Sequence, residues 1–306
     1  MPTAKQENRE PVLRNVTPQS DMTVRVALLD LYRGIDNRGI PALTQLIQSA
    51  GEATHAVTLH RYDVRGKGEV PGLEYDVYVS SGGPGSPYDG EGQAWEADYF
   101  RWMEAVWTHN AQGRPPKSVL FICHSFQMAM RFFGIATVTK RRAASFGIYA
   151  VHKTDAGRDE RLFEPLADPF YAADFRRWQA VEPDAARLHE LGARVLAREK
   201  PRPHVPLERA LMAVRLSPHL VAVQFHPEAN PAGMFAHFRK RERRRQVVDR
   251  LGKQRYHRLL RRLNEPDFLK PTYTHVVPAF LQRAIATARP GAGRSGRGTE
   301  KTTRDS

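Results

Sequence analysis

Cys123 is the only cysteine in the chain, and it stands in SVLFICHSFQMAM between an apolar run and a segment of helical character. A strand that ends on a reactive residue, with a helix starting immediately after it, is the layout of a nucleophile elbow. The free N–H groups and dipole of a helix N-terminus favour a thiolate over a thiol. Such a nucleophile needs a base within hydrogen-bond reach, and the base needs a third group to orient it. VQFHPEA, residues 223–229, offers both. His226 and Glu228 are two apart, so an extended segment turns them to one face. Pro227 fixes its own φ and biases His226 toward extended geometry. The carboxylate then accepts from one imidazole nitrogen and leaves the other for a thiol. Taken singly, a lone cysteine is more often a small buried hydrophobe, and a lone H-x-E pair more often a strand end beside a solvated acid.

These residues need elements to hold them. VRVALLD, AVTLHRYDV and YDVYVSS read as strands, the last ending in the glycine-rich turn GGPGSPYDGEG. DNRGIPALTQLIQSAG carries Leu43, Leu46 and Ile47 at helical spacing, with Gly51 as its stop. QAWEADYFRWMEAVWTHNA is a further helix, and its Trp95, Trp102 and Trp107 read as core or interface rather than a ligand box. Strands alternating with helices predict an α/β fold with a doubly wound, mostly parallel sheet, where ligands bind at the carboxyl ends of the strands. The GGPGSP loop and Cys123 both lie at such ends. After the elbow, ASFGIYAVHKT, RVLARE, ALMAVRL and LVAVQF predict a closely spaced antiparallel edge, with FEPLADPFYAADFRRWQAVEP as an irregular loop between them. Residues 231–264 read as helix, EPDFLKPTYTHVVP as a proline-punctuated link, and AFLQRAIATA as a last short helix.

The formal net charge is +14, but it is unevenly placed. From Arg239 to Ser306 there are 19 Lys and Arg against 6 Asp and Glu, which leaves the preceding residues near neutral. That shift divides the chain into a disordered arm (1–21), an α/β domain (22–240), a basic helical extension (241–289) and a disordered Gly/Arg/Ser-rich tail (290–306). Val247, Val248, Leu251, Leu259, Leu260 and Leu263 predict one apolar stripe in the extension, with its arginines facing water. A solvated basic face is the commoner outcome for such a helix; any nucleic-acid partner would have to bind through this basic C-terminus, and no nucleic-acid fold motif accompanies it. One cysteine excludes an intrachain disulfide framework and suits a reducing, cytoplasmic compartment. No stretch approaches the roughly 18 apolar residues of a membrane helix. The scattered histidines lack metal-ligand spacing, and no Lys-Ser/Thr pair follows GGPGSP, so a P-loop is excluded.

SGGPGSP, the single-cysteine elbow and QFHPE follow one another in that order, each at a strand end. Together they resemble the class I glutamine amidotransferase family, the type with a Cys-His-Glu triad, over about residues 24–240. Within it the nearest look is to the amidotransferase domain of GMP synthase. The resemblance implies a flavodoxin-like sheet, Cys123 as nucleophile, His226 as general base and then acid, and Glu228 as orienter. It implies an oxyanion hole from the backbone N–H groups of Gly83 and His124, and Gln127 lining the glutamine pocket. It implies ammonia release from glutamine through a glutamyl thioester, with no cofactor and no metal, for a separate acceptor or synthase subunit. The family's elbow carries glycine two residues before and two after the cysteine, where this chain has Phe121 and Ser125. The segment DPFYAADFR lacks the Ser-His pair of relatives. Those departures leave two alternatives: a hydrolase of another γ-glutamyl amide, and a non-catalytic regulatory or binding protein.

Overall fold

The computed structural model describes residues 23–54, 57–204 and 206–288. The predicted terminal arm and tail lie outside the described residues. The described residues open with β1 (Val24–Asp30), α1 (Gly39–Thr54), β2 (Val57–Asp63) and the single-turn α2 (Val64–Lys67). Next come β3 (Val77–Ser80), α3 (Ala94–Ala111), β4 (Ser118–Ile122) and α4 (His124–Phe133). An edge region follows with β5 (Ala136–Lys153), α5 (Asp155–Arg158), β6 (Phe170–Pro183), α6 (Ala185–Leu191), β7 (Arg194–Glu199), β8 (Leu211–Ser217) and β9 (Leu220–Val223). The described chain closes with α7 (Pro231–Arg239), α8 (Arg241–Leu251), α9 (Lys253–Asn264) and α10 (Leu269–Ala288).

One nine-stranded sheet runs in the order β2-β1-β3-β4-β9-β8-β7-β5-β6. The five strands from β2 to β9 pair in parallel, and those from β9 to β6 pair antiparallel. This is the doubly wound, mostly parallel sheet the sequence predicts. The central strands are apolar throughout because both faces are covered. Leu28, Leu120, Ile122, Val221 and Val223 face α1 and α10, while Ala27, Leu29, Val119, Phe121 and Ala222 face α3 and α4. β9, late in sequence, pairs with β4 from Val119↔Leu220 to Ile122↔Val223. That pairing sets the end of the cysteine's strand beside the start of QFHPE.

Three local expectations change. FYAADFRRWQAVEP is not an irregular loop but β6, a 14-residue strand paired along β5. Two of its charges, Asp174 and Arg176, are buried. Arg176 bonds Asp174 (Nε–Oδ1 2.9 Å) and Glu199 (Nη2–Oε1 2.7 Å), and Arg141 and Arg202 converge on the same Glu199. Gly51 does not stop α1, which continues to Thr54; a Cβ there would lie 2.9 Å from Val57 Cβ, so close approach to β2 accounts for the glycine. The link and the last short helix are one helix, α10, with Pro278 inside it. Pro271 stands in the first turn, where the missing N–H costs nothing. Pro278 forfeits one backbone bond, which the burial of Val276, Val277, Phe280, Leu281 and Ile285 offsets.

The readings of the tryptophans and of the apolar stripe hold. Trp102 is core, with Trp95 and Trp107 packed against it. Val247, Leu259 and Leu263 are buried in a third cluster around Phe238, with Val248, Leu251 and Leu260 packed on it, and Arg241, Arg243, Arg244 and Arg245 are exposed. Among the described residues no helix is long and apolar enough to cross a membrane.

Candidate active site

Cys123 caps α4 with φ 52° and ψ −95°, a left-handed conformation rarely taken by a residue with a Cβ. Such backbone costs about 1–3 kcal/mol and persists where the surroundings over-determine it. Here Cys123 N donates to Val223 O (2.8 Å), and Gln127 N donates to Cys123 O (3.1 Å). The elbow is therefore pinned to the end of β9 and to the first turn of its own helix.

The two elbow departures resolve separately. Phe121 turns away from Cys123 into the opposite core face, its ring 6.1 Å from that of Trp102. Ser125 is fully buried: its hydroxyl accepts from Ile122 N (2.7 Å) and donates to Ser80 O (2.7 Å). A residue that glycine fills in relatives here laces the ends of β3 and β4 together.

His226 N donates to Ala173 O (2.9 Å) on β6, which fixes the backbone of the HPE segment. Its Nδ1 meets Glu228 Oε1 at 2.8 Å, and its ring and the Cys123 side chain both border Gly82. Burial disfavours the imidazolium, but the thiolate of Cys123 and the carboxylate of Glu228 outweigh it and hold His226 well above the ordinary imidazole range. Glu228 is buried, and its Oε2 has no partner among the described residues. The structure thus brings Cys123, His226 and Glu228 together in that order, a thiol facing a carboxylate-oriented imidazole.

The GGPGSP loop closes over this pair. A Cβ at Gly82 would lie 2.8 Å from His226 Cε1 and 3.5 Å from Cys123 Cβ; at Gly83 it would lie 2.5 Å from Leu31 O. Only glycine allows so close an approach. His124 N is the first amide of α4 and has no intrahelical acceptor. Among the described residues, neither it nor Gly83 N enters the backbone bonds of the turns and loops. His124 itself is buried; burial, with Arg65 and Arg131 nearby, pushes its pKa down to about 3, so the ring is neutral. Gln127 is buried beneath the elbow: its Nε2 donates to Trp178 O (3.2 Å) and Gln224 Oε1 (3.1 Å), and Gln224 donates to Cys123 O (3.4 Å).

Three neighbours were not legible in advance. Gln224 stood inside QFHPE, so the motif itself carried the signal. Tyr32 follows β1; its hydroxyl is 3.3 Å from the Gly82 Cβ position, and burial, Glu228 and Cys123 raise it well above the ordinary phenol range. Arg65, on α2, has no sequence signal beyond its place at a strand end.

A doubly wound α/β domain with a strained cysteine elbow facing a histidine–glutamate pair is the class this fold and site define. The chain belongs to the class I glutamine amidotransferase family, whose sequence pattern matches residues 35–241. A glutamine amidotransferase from Thermotoga maritima aligns with TM-score 0.61 and 19% identity over 86% of this chain and 98% of its own. The glutaminase domain of Trypanosoma brucei CTPS, solved with bound acivicin, aligns with TM-score 0.54 and 13% identity over 87% and 94%. A putative GMP synthase subunit from Thermoplasma acidophilum aligns with TM-score 0.48 and 15% identity over 68% and 85%. At these identities the first two likenesses speak for the fold. A comparison with curated proteins finds no match.

Proposed function

We propose that this protein hydrolyses the carboxamide of glutamine on Cys123 and delivers the ammonia to an acceptor carried by a separate protein. The observation that carries this reading is the His226–Glu228 pair, joined at 2.8 Å, beside the strained Cys123 elbow at the Gly82 loop. The thiolate attacks the carboxamide carbon, and the carbonyl electrons move onto oxygen. The amides of Gly83 and His124 are the donors for that oxyanion. His226 gives its proton to the departing nitrogen, so ammonia leaves and a glutamyl thioester remains. Water then attacks the thioester, His226 takes its proton, and collapse releases glutamate and restores the thiolate. The acivicin in the trypanosomal glutaminase domain suggests the matching probe, a glutamine-like electrophile.

Wild-type protein should release ammonia from glutamine and be labelled once by such an electrophile, and Cys123→Ala should abolish both. Equal background ammonia from both proteins would sink the reading. A second reading has its own support: Gln127, the pocket residue of the family pattern, spends its amide on Trp178 and Gln224. Turnover of γ-glutamyl amines by wild type alone, with glutamine untouched, would establish hydrolysis of another γ-glutamyl amide instead.

A further inference from the structure

Arg65 is an arginine in an unexpected place. It lies on α2, a single turn after β2 whose start is capped by Asp63 accepting from Gly66 N (2.8 Å), and its side chain is only 1% exposed. Its nearest carboxylate, Asp89, is 3.7 Å from Nη2 and itself 44% exposed, so no close ion pair compensates the burial. Its Nε has no partner among the described residues. Burying a charge so incompletely paired is costly, and burial with Arg33 nearby lowers Arg65 below its ordinary range. A fold keeps such a group where its geometry is needed.

That geometry is specific. One nitrogen, Nη1, donates to Pro84 O (2.6 Å), to His124 Nε2 (3.3 Å) and to Leu31 O (3.4 Å). A guanidinium has no acceptor, so His124 Nε2 must accept. Pro84 follows Gly83 directly, and Leu31 O is the atom against which Gly83 packs. The Trp95 ring, 5.3 Å from Cζ, covers the guanidinium. The three groups belong to the loop after β1, the loop after β3 and the first residue of α4. The last two carry the amides of Gly83 and His124.

We infer that Arg65 is a positioning residue for the oxyanion hole, holding the Gly83 loop and the start of α4 at a fixed separation so that both amides aim at one oxygen. This rests on the proposed thiol chemistry but not on glutamine as its substrate. A shift of either amide weakens stabilisation of the tetrahedral oxyanion and leaves the thiol in place. Loss of one such donor costs about 100–1000-fold in rate.

The test compares two reactions of Cys123 in the full chain. Acylation by p-nitrophenyl acetate forms a tetrahedral oxyanion on the way to the thioester and p-nitrophenolate. Alkylation by iodoacetamide displaces iodide at a saturated carbon and forms none. Arg65→Met should lower the acylation rate about 100-fold while the alkylation rate stays within about twofold of wild type. Arg65→Lys, keeping the charge and part of the donor set, should fall between. If Arg65→Met does not fold, the acylation-to-alkylation ratio is read on Arg65→Lys: a fall of tenfold or more supports the assignment and an unchanged ratio overturns it. In folded Arg65→Met, an unchanged ratio, or both rates falling together, also overturns it. Failure of wild type to act on glutamine would sink the proposed substrate without touching this comparison.

Discussion

His226 and His124 lie on either side of the same cysteine in opposite electrostatic settings. His226 sits beside Cys123 and the Glu228 carboxylate and is held well above the ordinary imidazole range, so the imidazolium should persist through neutral pH. Iodoacetamide alkylation of Cys123 should therefore stay fast as pH falls toward 6. Glu228→Gln removes one of the charges that favour the imidazolium, and alkylation should then drop steeply over the same range; parallel profiles would contradict this. His124, held down at about 3, is neutral in the fold and charges only when unfolded. Its unfolded form binds a proton below about pH 6.5, so its contribution to stability is present above that pH and is lost as pH falls toward 3. The loss reaches about 2–3 kcal/mol by pH 4.5. His124→Gln keeps an acceptor for Arg65 but cannot titrate. Its melting temperature should fall less than that of wild type between pH 7 and pH 4.5, and equal slopes would refute the assignment. The cysteine, histidine and glutamate were legible because each motif is short and local. Arg65 and Tyr32 were not, because their partners are remote in sequence: Leu31, Pro84 and His124 for Arg65, and Gly82, Cys123 and Glu228 for Tyr32.

At the scale of elements, the sheet core was legible, and so was most of the antiparallel edge, but its outermost strand β6 was not. Apolar runs such as SVLFI announce buried parallel strands, and β9 could be paired with β4 once the cysteine and the HPE segment were required to meet. β6 was hidden because Asp174, Arg176 and Arg177 look like loop residues, whereas Asp174 and Arg176 are buried and paired with each other, and Arg176 also pairs with Glu199. Glu199 is the carboxylate on which Arg141, Arg176 and Arg202 converge. Glu199→Ala should destabilise the protein by about 3–5 kcal/mol, because it leaves the buried guanidinium groups of Arg141 and Arg176 with Asp174 alone as counter-charge; urea unfolding measures this. Ser125 makes the complementary case at the elbow. Ser125→Ala leaves the buried N–H of Ile122 without its acceptor, an expected cost of about 1–3 kcal/mol. A variant as stable as wild type would show that the hydroxyl merely fills the space glycine leaves in relatives.

Over the whole molecule, charge and packing divide the chain differently. Charge sets apart everything after residue 240, and the exposed arginines of α8 are consistent with a solvated basic face. Packing does not follow that line. α10 lies beyond the basic helices, yet its Val276, Val277, Phe280, Leu281 and Ile285 share one core cluster with Leu43 and Ile47 of α1 and with Leu120 and Ile122 of β4. Buried side chains of this size contribute about 1.5–3 kcal/mol each, so together they rival the roughly 5–15 kcal/mol that holds an ordinary domain folded. Composition cannot reveal this, because α10 is nearly uncharged and broken in appearance by its prolines. Ending the chain at residue 268 should therefore abolish cooperative thermal unfolding and, with it, selective labelling of Cys123. Ending it at residue 288 should keep the melting temperature within a few degrees and the labelling intact. Any retention on RNA or DNA that depends on the residues beyond 288 should then weaken most at low salt, where phosphate contacts count most. A chain ending at 268 that still melts cooperatively would show that the core closes without α10 and that the division drawn by charge is also the structural one.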